Sequence, residues 1–170
     1  TAPQFQLKLF EEIENSGKDL NLKLYGSRAL MSLRLEKNWG AWTLDFRPDF
    51  TAVESGLDIF INWNKDFIGK EASLIEKKQG IKKKLVTMII DTKEFDVSND
   101  EAIIKNEKCV GYITSGGYAH HIKKSIALGY VPIEFSKHDT ILDVEINGKL
   151  FKSHITDKPL YDANGGKMKS

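Results

Sequence analysis

Apolar residues recur at four-residue spacing near the start of the chain, at Phe5, Leu9 and Ile13, with Leu7 and Phe10 widening the stripe. This is the spacing of one helix face; Pro3 suits a first helical turn and Gly17 a stop, so a helix is predicted from Pro3 to Ser16. A short extended piece, Asn21 to Tyr25, leads to Ser27, which can cap a second helix. In that helix Leu30 and Leu33, and Met31 and Leu35, repeat at three- and four-residue spacings, and the pattern ends near Asn38. Thr51 to Glu54 reads as a turn or helix start and Leu57 to Trp63 as an apolar strand. Asp66 and Gly69 open a third helix through Ala72, Leu74 and Ile75, which Gly80 closes.

From Leu85 the texture changes to short β-type runs: Leu85 to Ile90, Ala102 to Ile104, Cys109 to Thr114, Ser125 to Val131, Ile141 to Ile146 and Leu150 to Ile155. Asn147-Gly148 between the last two is the signature of a type I′ hairpin. Five or six short antiparallel strands fit a small closed barrel, because closure removes exposed sheet edges. The expected fold class is therefore α+β: a helix-containing part over residues 1–80 and a small antiparallel Greek-key-like β-barrel over residues 81–170. The lysine-rich stretch IEKKQGIKKK, Ile75 to Lys84, lies at the boundary and reads as a solvated helix end and linker.

Composition narrows the function classes. The chain has 170 residues, 41% of them apolar, which supports a core. With 25 Lys+Arg against 24 Asp+Glu there is no broad basic field, so a nucleic-acid partner is not expected. No apolar run approaches the roughly 18 residues of a membrane span, and the N-terminus lacks the regions of a signal peptide. The single Cys109 cannot form an internal disulfide; its place in an alternating run predicts a buried, inert thiol and fits a reducing compartment. Thr1 stands where a start would place Met, and a helical pattern begins within a few residues, which suggests a piece of a longer protein.

Several residues can carry chemistry. Arg28, Ser32 and Glu36 share a helix face, which can serve as an exposed ion-pair ladder or as a rigid guanidinium grip on a carboxylate. Trp39, Trp42 and Phe46 beyond that helix can pack in a core or stack on a flat ring. Glu54 and Asp58 are read as structural. His120 and His121 lack any ligand pattern, so no metal site is expected. Thr114 to Gly117 match neither a Walker A pattern nor a dinucleotide fingerprint and read as a tight turn. No nucleophile constellation can be assembled, and no catalytic residue is assigned.

Five blocks, taken together, carry a resemblance: GSRALMSLRLEKNWGAW (Gly26 to Trp42), ESGLDIF (Glu54 to Phe60), DFIGKEA (Asp66 to Ala72), CVGYITSGGYAHHIKKSIALGYV (Cys109 to Val131) and PLYD (Pro159 to Asp162). In this order they resemble the C-terminal part of the folate-dependent aminomethyltransferase (glycine cleavage T-protein) family, and most of all the C-terminal regions of dimethylglycine and sarcosine dehydrogenases. The resemblance implies that residues 1–80 are the C-terminal portion of the folate-binding domain and residues 81–170 the C-terminal barrel. It implies transfer of a one-carbon unit from an N-methyl amine to tetrahydrofolate, with FAD involved only if a flavin domain lies upstream. The arginine matching Arg28 belongs to the substrate and folate site of the family, and Trp42, whose ring can stack on a pterin or pack in a core, is a candidate for the same site. Thr43 and Ala52 depart from its common glycine and proline. The acidic folate-contacting residues of the family lie upstream of what matches Thr1, so catalysis would need that missing N-terminal part as partner. A cytoplasmic location, or the mitochondrial matrix in a eukaryote, follows from the same resemblance. The alternative is a noncatalytic folate-binding or partner-docking module of a larger protein; a barrel like those of translation factors with an RNA partner is opposed by the balanced charge.

Overall fold

A computed structural model describes residues 1–169. By packing, the chain divides into two compact units, residues 1–30 and residue 31 onward.

The first unit holds helix α1 (Gln6–Gly17), preceded by a short 3-10 turn at Pro3–Phe5 and followed by another at Lys18–Leu20. The apolar stripe foreseen in the sequence is helical, but Phe5, Leu7, Leu9, Phe10 and Ile13 are all exposed, and only Gly17 of α1 is buried. A helix with an uncovered apolar face draws its stability from whatever packs on that face, not from propensity.

Helix α2 (Ser27–Glu36) ends in a turn at Lys37 and Asn38, where Asn38 adopts φ 57°. Its last three residues, Arg34, Leu35 and Glu36, are buried. Leu57 to Trp63 is not a strand. Gly56 turns left-handed at φ 70°, Leu57 N–H bonds back to Ala52, and a 3-10 turn forms at Asp58–Phe60. The local turns use the backbone donors that a strand would need for pairing, and Ile59 and Phe60 point outward at 78% exposure each. Helix α3 (Lys70–Gln79) lies between Gly69 and Gly80, both with positive φ, as the sequence predicts.

The remainder is a closed barrel of six antiparallel strands: β1 (Lys83–Ile90), β2 (Ala102–Lys105), β3 (Lys108–Ala119), β4 (Lys124–Pro132), β5 (Ile141–Ile146) and β6 (Lys149–Thr156). Around the barrel they run β1-β4-β3-β2-β5-β6, and β6 closes onto β1. Strands β2, β3 and β4 follow one another as neighbours while β1 lies beside β4, the Greek-key arrangement. The hairpin between β5 and β6 turns on Asn147 (φ 50°) and Gly148 (φ 74°), both left-handed as a type I′ turn demands.

The interior is filled by Met88, Ile90, Ile103, Ile113, Val144, Ile146 and Ile155, with Val97 and others beside them. Each fully buried side chain of this size contributes about 1.5 to 3 kcal/mol of transfer free energy. A second cluster forms outside the barrel wall, where Leu35 of α2 meets Ala119, Ile126 and Leu128. Strand β4 is therefore covered on both faces, and Ser125 to Val131 are buried without the alternation expected of a strand with one wet face.

Two bulges in β3 correct the reading of that strand. Opposite β2, Ile103 pairs with Gly111 and Ile104 with Cys109, leaving Val110 as the extra residue. The phase of the strand shifts there, Val110 packs toward the core, and Cys109 is exposed, not buried. Opposite β4, Ile113 pairs with Gly129 and Ser115 with Leu128, leaving Thr114 as the extra residue. Gly116 and Gly117 lie within β3 and make no turn. The reversal comes later, around His120 to Lys123.

Candidate functional site

Within the second unit the loop from Lys37 to Phe46 carries the aromatic residues singled out in the sequence, and its shape is set by one buried ion pair. Arg34 at the end of α2 donates through Nη1 to Asp45 Oδ2 (2.7 Å) and to the carbonyl of Trp39 (3.1 Å). Asp45 is fully buried. Its Oδ2 also accepts the N–H of Ala41 (2.7 Å), while Oδ1 accepts the hydroxyls of Thr114 (2.5 Å) and Ser115 (2.7 Å). Adjacent residues of a regular strand point to opposite faces. The bulge at Thr114 is what allows both hydroxyls to reach one carboxylate oxygen.

Tyr130 of β4 extends the network. Its hydroxyl donates to the carbonyl of Asp45 (3.0 Å) and shares a 2.7 Å hydrogen bond with Ser55 Oγ. Burial pushes the Tyr130 phenol up to about 12; the Ser55 hydrogen bond opposes that rise, and the negative charges of Asp45 and Glu54 add to it. The ring stacks on Phe50, centroids 3.4 Å apart and planes within 6°.

Held at both ends, the loop presents Trp42 at 78% exposure, edge-on to Phe46 at 5.6 Å. Trp42 does not pack in a core formed by the described residues. Trp39 is also half-exposed. Gly40 is required because a Cβ there would strike the Phe46 ring.

The face of α2 is not an exposed ion-pair ladder. Glu36 is buried and accepts the N–H of His121 on Oε1 (2.7 Å), and Ser32 Oγ donates to the carbonyl of Tyr118 (2.6 Å). Arg28, in the first unit, is exposed and takes part in no ion pair among the described residues. The PLYD block docks on the end of the same helix: the N–H groups of Leu160 and Tyr161 donate to the Glu36 carbonyl, and Lys37 Nζ reaches the carbonyl (2.7 Å) and Oδ2 (3.3 Å) of Asp162. Glu54 is structural, accepting the N–H groups of Thr51 and Lys83 on its two oxygens. His120 and His121 are exposed and lean on Tyr118 and Tyr161. Among the described residues no three His, Cys, Asp or Glu side chains gather as a metal site, and no helix is long and apolar enough to cross a membrane.

Sequence reasoning missed Arg34, Asp45, Ser55 and Tyr130 as a unit. The one available signal was a charged residue, Arg34, set between Leu33 and Leu35 in a helical stripe, which requires a buried counter-charge.

A six-stranded Greek-key barrel capped by the end of a helix, with an aromatic loop braced against the barrel wall, defines an aminomethyltransferase-type C-terminal region. The chain belongs to the glycine cleavage T-protein family: the GCVT N-terminal domain matches residues 1–65, and the glycine cleavage T-protein C-terminal barrel domain matches residues 83–162. It is 38% identical over 154 residues to the human mitochondrial dimethylglycine dehydrogenase, a match covering 89% of this chain and 18% of that protein. It is 33% identical over 165 residues to an aminomethyltransferase of Desulfitobacterium hafniense, covering 96% of this chain and 45% of the relative. The crystal structure of the glycine cleavage system aminomethyltransferase T from Bartonella henselae superposes with a TM-score of 0.82 at 25% identity, over 90% of this chain and 44% of that one. The chain thus spans less than half the length of each of these relatives.

Proposed function

We propose that this chain serves as the C-terminal part of a tetrahydrofolate-dependent aminomethyltransferase-like enzyme, with residues 1–80 completing a folate-binding domain and residues 81–170 forming the barrel beside it. The reaction passes a one-carbon unit from an N-methyl amine of the dimethylglycine or sarcosine type to tetrahydrofolate. The observation that carries this reading is the open ring of Trp42, held on a loop that Asp45 and Arg34 brace from below. A flat pterin can stack on such a ring without rearranging the loop, and a preformed platform lowers the ordering cost of binding. Arg28 supplies a cation on a helix, suited to a folate carboxylate. The 38% identity to a dimethylglycine dehydrogenase supports the choice of amine over glycine.

The chain's own contribution is positioning and the exclusion of water, and the acid and base groups belong to the upstream part of the enzyme. FAD enters only through a flavin domain upstream, and the proposed location is the cytoplasm, or the mitochondrial matrix in a eukaryote, in keeping with a human relative that is mitochondrial. The test is calorimetric titration of tetrahydrofolate into the protein with its upstream sequence, beside an assay for 5,10-methylenetetrahydrofolate formed from dimethylglycine and sarcosine. Saturable folate binding with methylene transfer is expected. Absence of folate binding overturns the proposal; binding without transfer converts it to a noncatalytic folate module.

A further inference from the structure

In the second unit a cavity of about 650 Å³ opens between the loop after α2, the turns around Ser55 to Phe60 and the start of β1; Trp42 is not among its lining residues, although Phe46, which Trp42 meets edge-on, is. This is within the roughly 300 to 1,000 Å³ of small-molecule sites. Its walls are apolar and aromatic: Trp39, Leu57, Phe60 and Leu85 line it, with Trp39 54% and Phe60 78% exposed. Two lysines and no carboxylate face it. Lys37 is neutralised by Asp162, whereas Lys84 has no partner among the described residues. The polar groups near the floor are already engaged, Ser55 with Thr51 and Tyr130 and Asn38 with Thr87.

We propose that this cavity is a binding site for a small flat aromatic carboxylate, its ring against Trp39 and Phe60 and its anion on Lys84. The chemistry follows from what the lining offers. An uncovered Trp and Phe favour a planar ring, and the one unpaired cation with no opposing carboxylate favours a single negative charge. A cationic ligand finds no acceptor there. A larger anion would need a second free cation.

The test is a titration of the 15N-labelled chain with 1-naphthoate and, separately, with the neutral 1-naphthalenemethanol. Naphthoate should shift the amide signals of Trp39, Gly56, Phe60 and Leu85 saturably, with at least about threefold tighter binding than the alcohol, the scale of an exposed charge pair. Lys84→Gln should abolish that threefold preference and leave alcohol binding unchanged; Phe60→Ala should weaken both probes together. Lys84 and Phe60 are exposed, so both variants should fold. Equal affinity for the two probes, or a preference that survives Lys84→Gln, overturns the anion assignment. Displacement of naphthoate by tetrahydrofolate overturns a separate site and makes the cavity part of the folate site. Loss of the shifts when the upstream sequence is restored overturns a small-molecule occupant in favour of a protein segment. Apart from the displacement arm, these results do not depend on whether the chain binds folate.

Discussion

Asp45 lies 2.7 Å from Arg34 with the two side chains only 0% and 7% exposed, and four donors converge on that one carboxylate, from Arg34, Ala41, Thr114 and Ser115, while Tyr130 donates to its main-chain carbonyl. The loop bearing Trp39 and Trp42 is thereby tied to both α2 and the barrel. Asp45→Ala leaves the guanidinium buried without its counter-charge, a loss of about 3 to 5 kcal/mol. Urea denaturation should show the midpoint falling with an unchanged slope, and a joint Arg34→Met and Asp45→Asn change should recover part of it. Equal stability of Asp45→Ala and the parent would show that the pair carries no such role.

Alkaline stability should track Tyr130. Folding raises the pKa of this phenol to about 12 by burying it, so the folded state holds the proton more tightly than the unfolded chain. The sign follows: the contribution is intact below the unfolded value near pH 10 and is lost as pH rises toward 12, by about 2 kcal/mol at most. Thermal unfolding between pH 9 and 12 should fall more steeply for the parent than for Tyr130→Phe, whose stability at neutral pH should be lower because the hydroxyl shared with Ser55 and donated to the Asp45 carbonyl is gone. Parallel pH curves for the two would contradict the shift.

Gly116 has no room for a side chain. A Cβ there would come within 2.7 Å of both the carbonyl and Cγ1 of Val97, one of which is backbone. Gly116→Ala should cost about 1 to 3 kcal/mol through displaced packing. Gly26 has nothing within 4 Å of an added Cβ, and Gly26→Ala should change stability by no more than about 0.5 kcal/mol. Calorimetric melting of the pair settles the comparison.

Folate affinity should depend on Arg28 and Trp42 separately. Arg28→Ala should weaken tetrahydrofolate binding by about 1.5 to 3 kcal/mol, the worth of a hydrogen bond to a charged group, and Arg28→Lys should restore part because an ammonium lacks the planar fork. Trp42→Ala should cost about 0.5 to 1.5 kcal/mol beyond the lost contact area. Unchanged affinity by titration calorimetry in folded Arg28→Ala protein would leave Arg28 as a surface charge on α2.

The uncovered stripe of α1 should make the chain associate. Leu7 and Ile13 on α1 and Phe5 on the turn before it are each more than half exposed, and apolar surface of this kind seeks a cover. Leu9→Lys with Ile13→Lys should lower the mass seen in sedimentation at equal concentration while the helical signal persists. A monomeric parent would remove the premise.

Local patterns in the chain carried most of its helices and strands and its architecture. Helices α1, α2 and α3, the change to strands after the lysine-rich stretch, and the Asn147-Gly148 hairpin all follow from periodicity and from residues that tolerate positive φ, which act over a few positions. The five sequence blocks sufficed to indicate the family. Tertiary structure decided what local pattern does not encode. Leu57 to Trp63 is apolar enough for a strand, but a strand needs a pairing partner, and turns took its backbone donors instead. Cys109 and Thr114 changed faces because bulges against β2 and β4 shift the phase of β3, and a bulge is set by two strands together. Strand β4 lost its alternation because Leu35, about ninety positions away in sequence, covers its outer face. The site's brace is the extreme case: Arg34, Asp45, Thr114 and Ser115 carry no shared local pattern, and only the packing of α2 and its loop against the β3 bulge brings a guanidinium and two hydroxyls to one carboxylate.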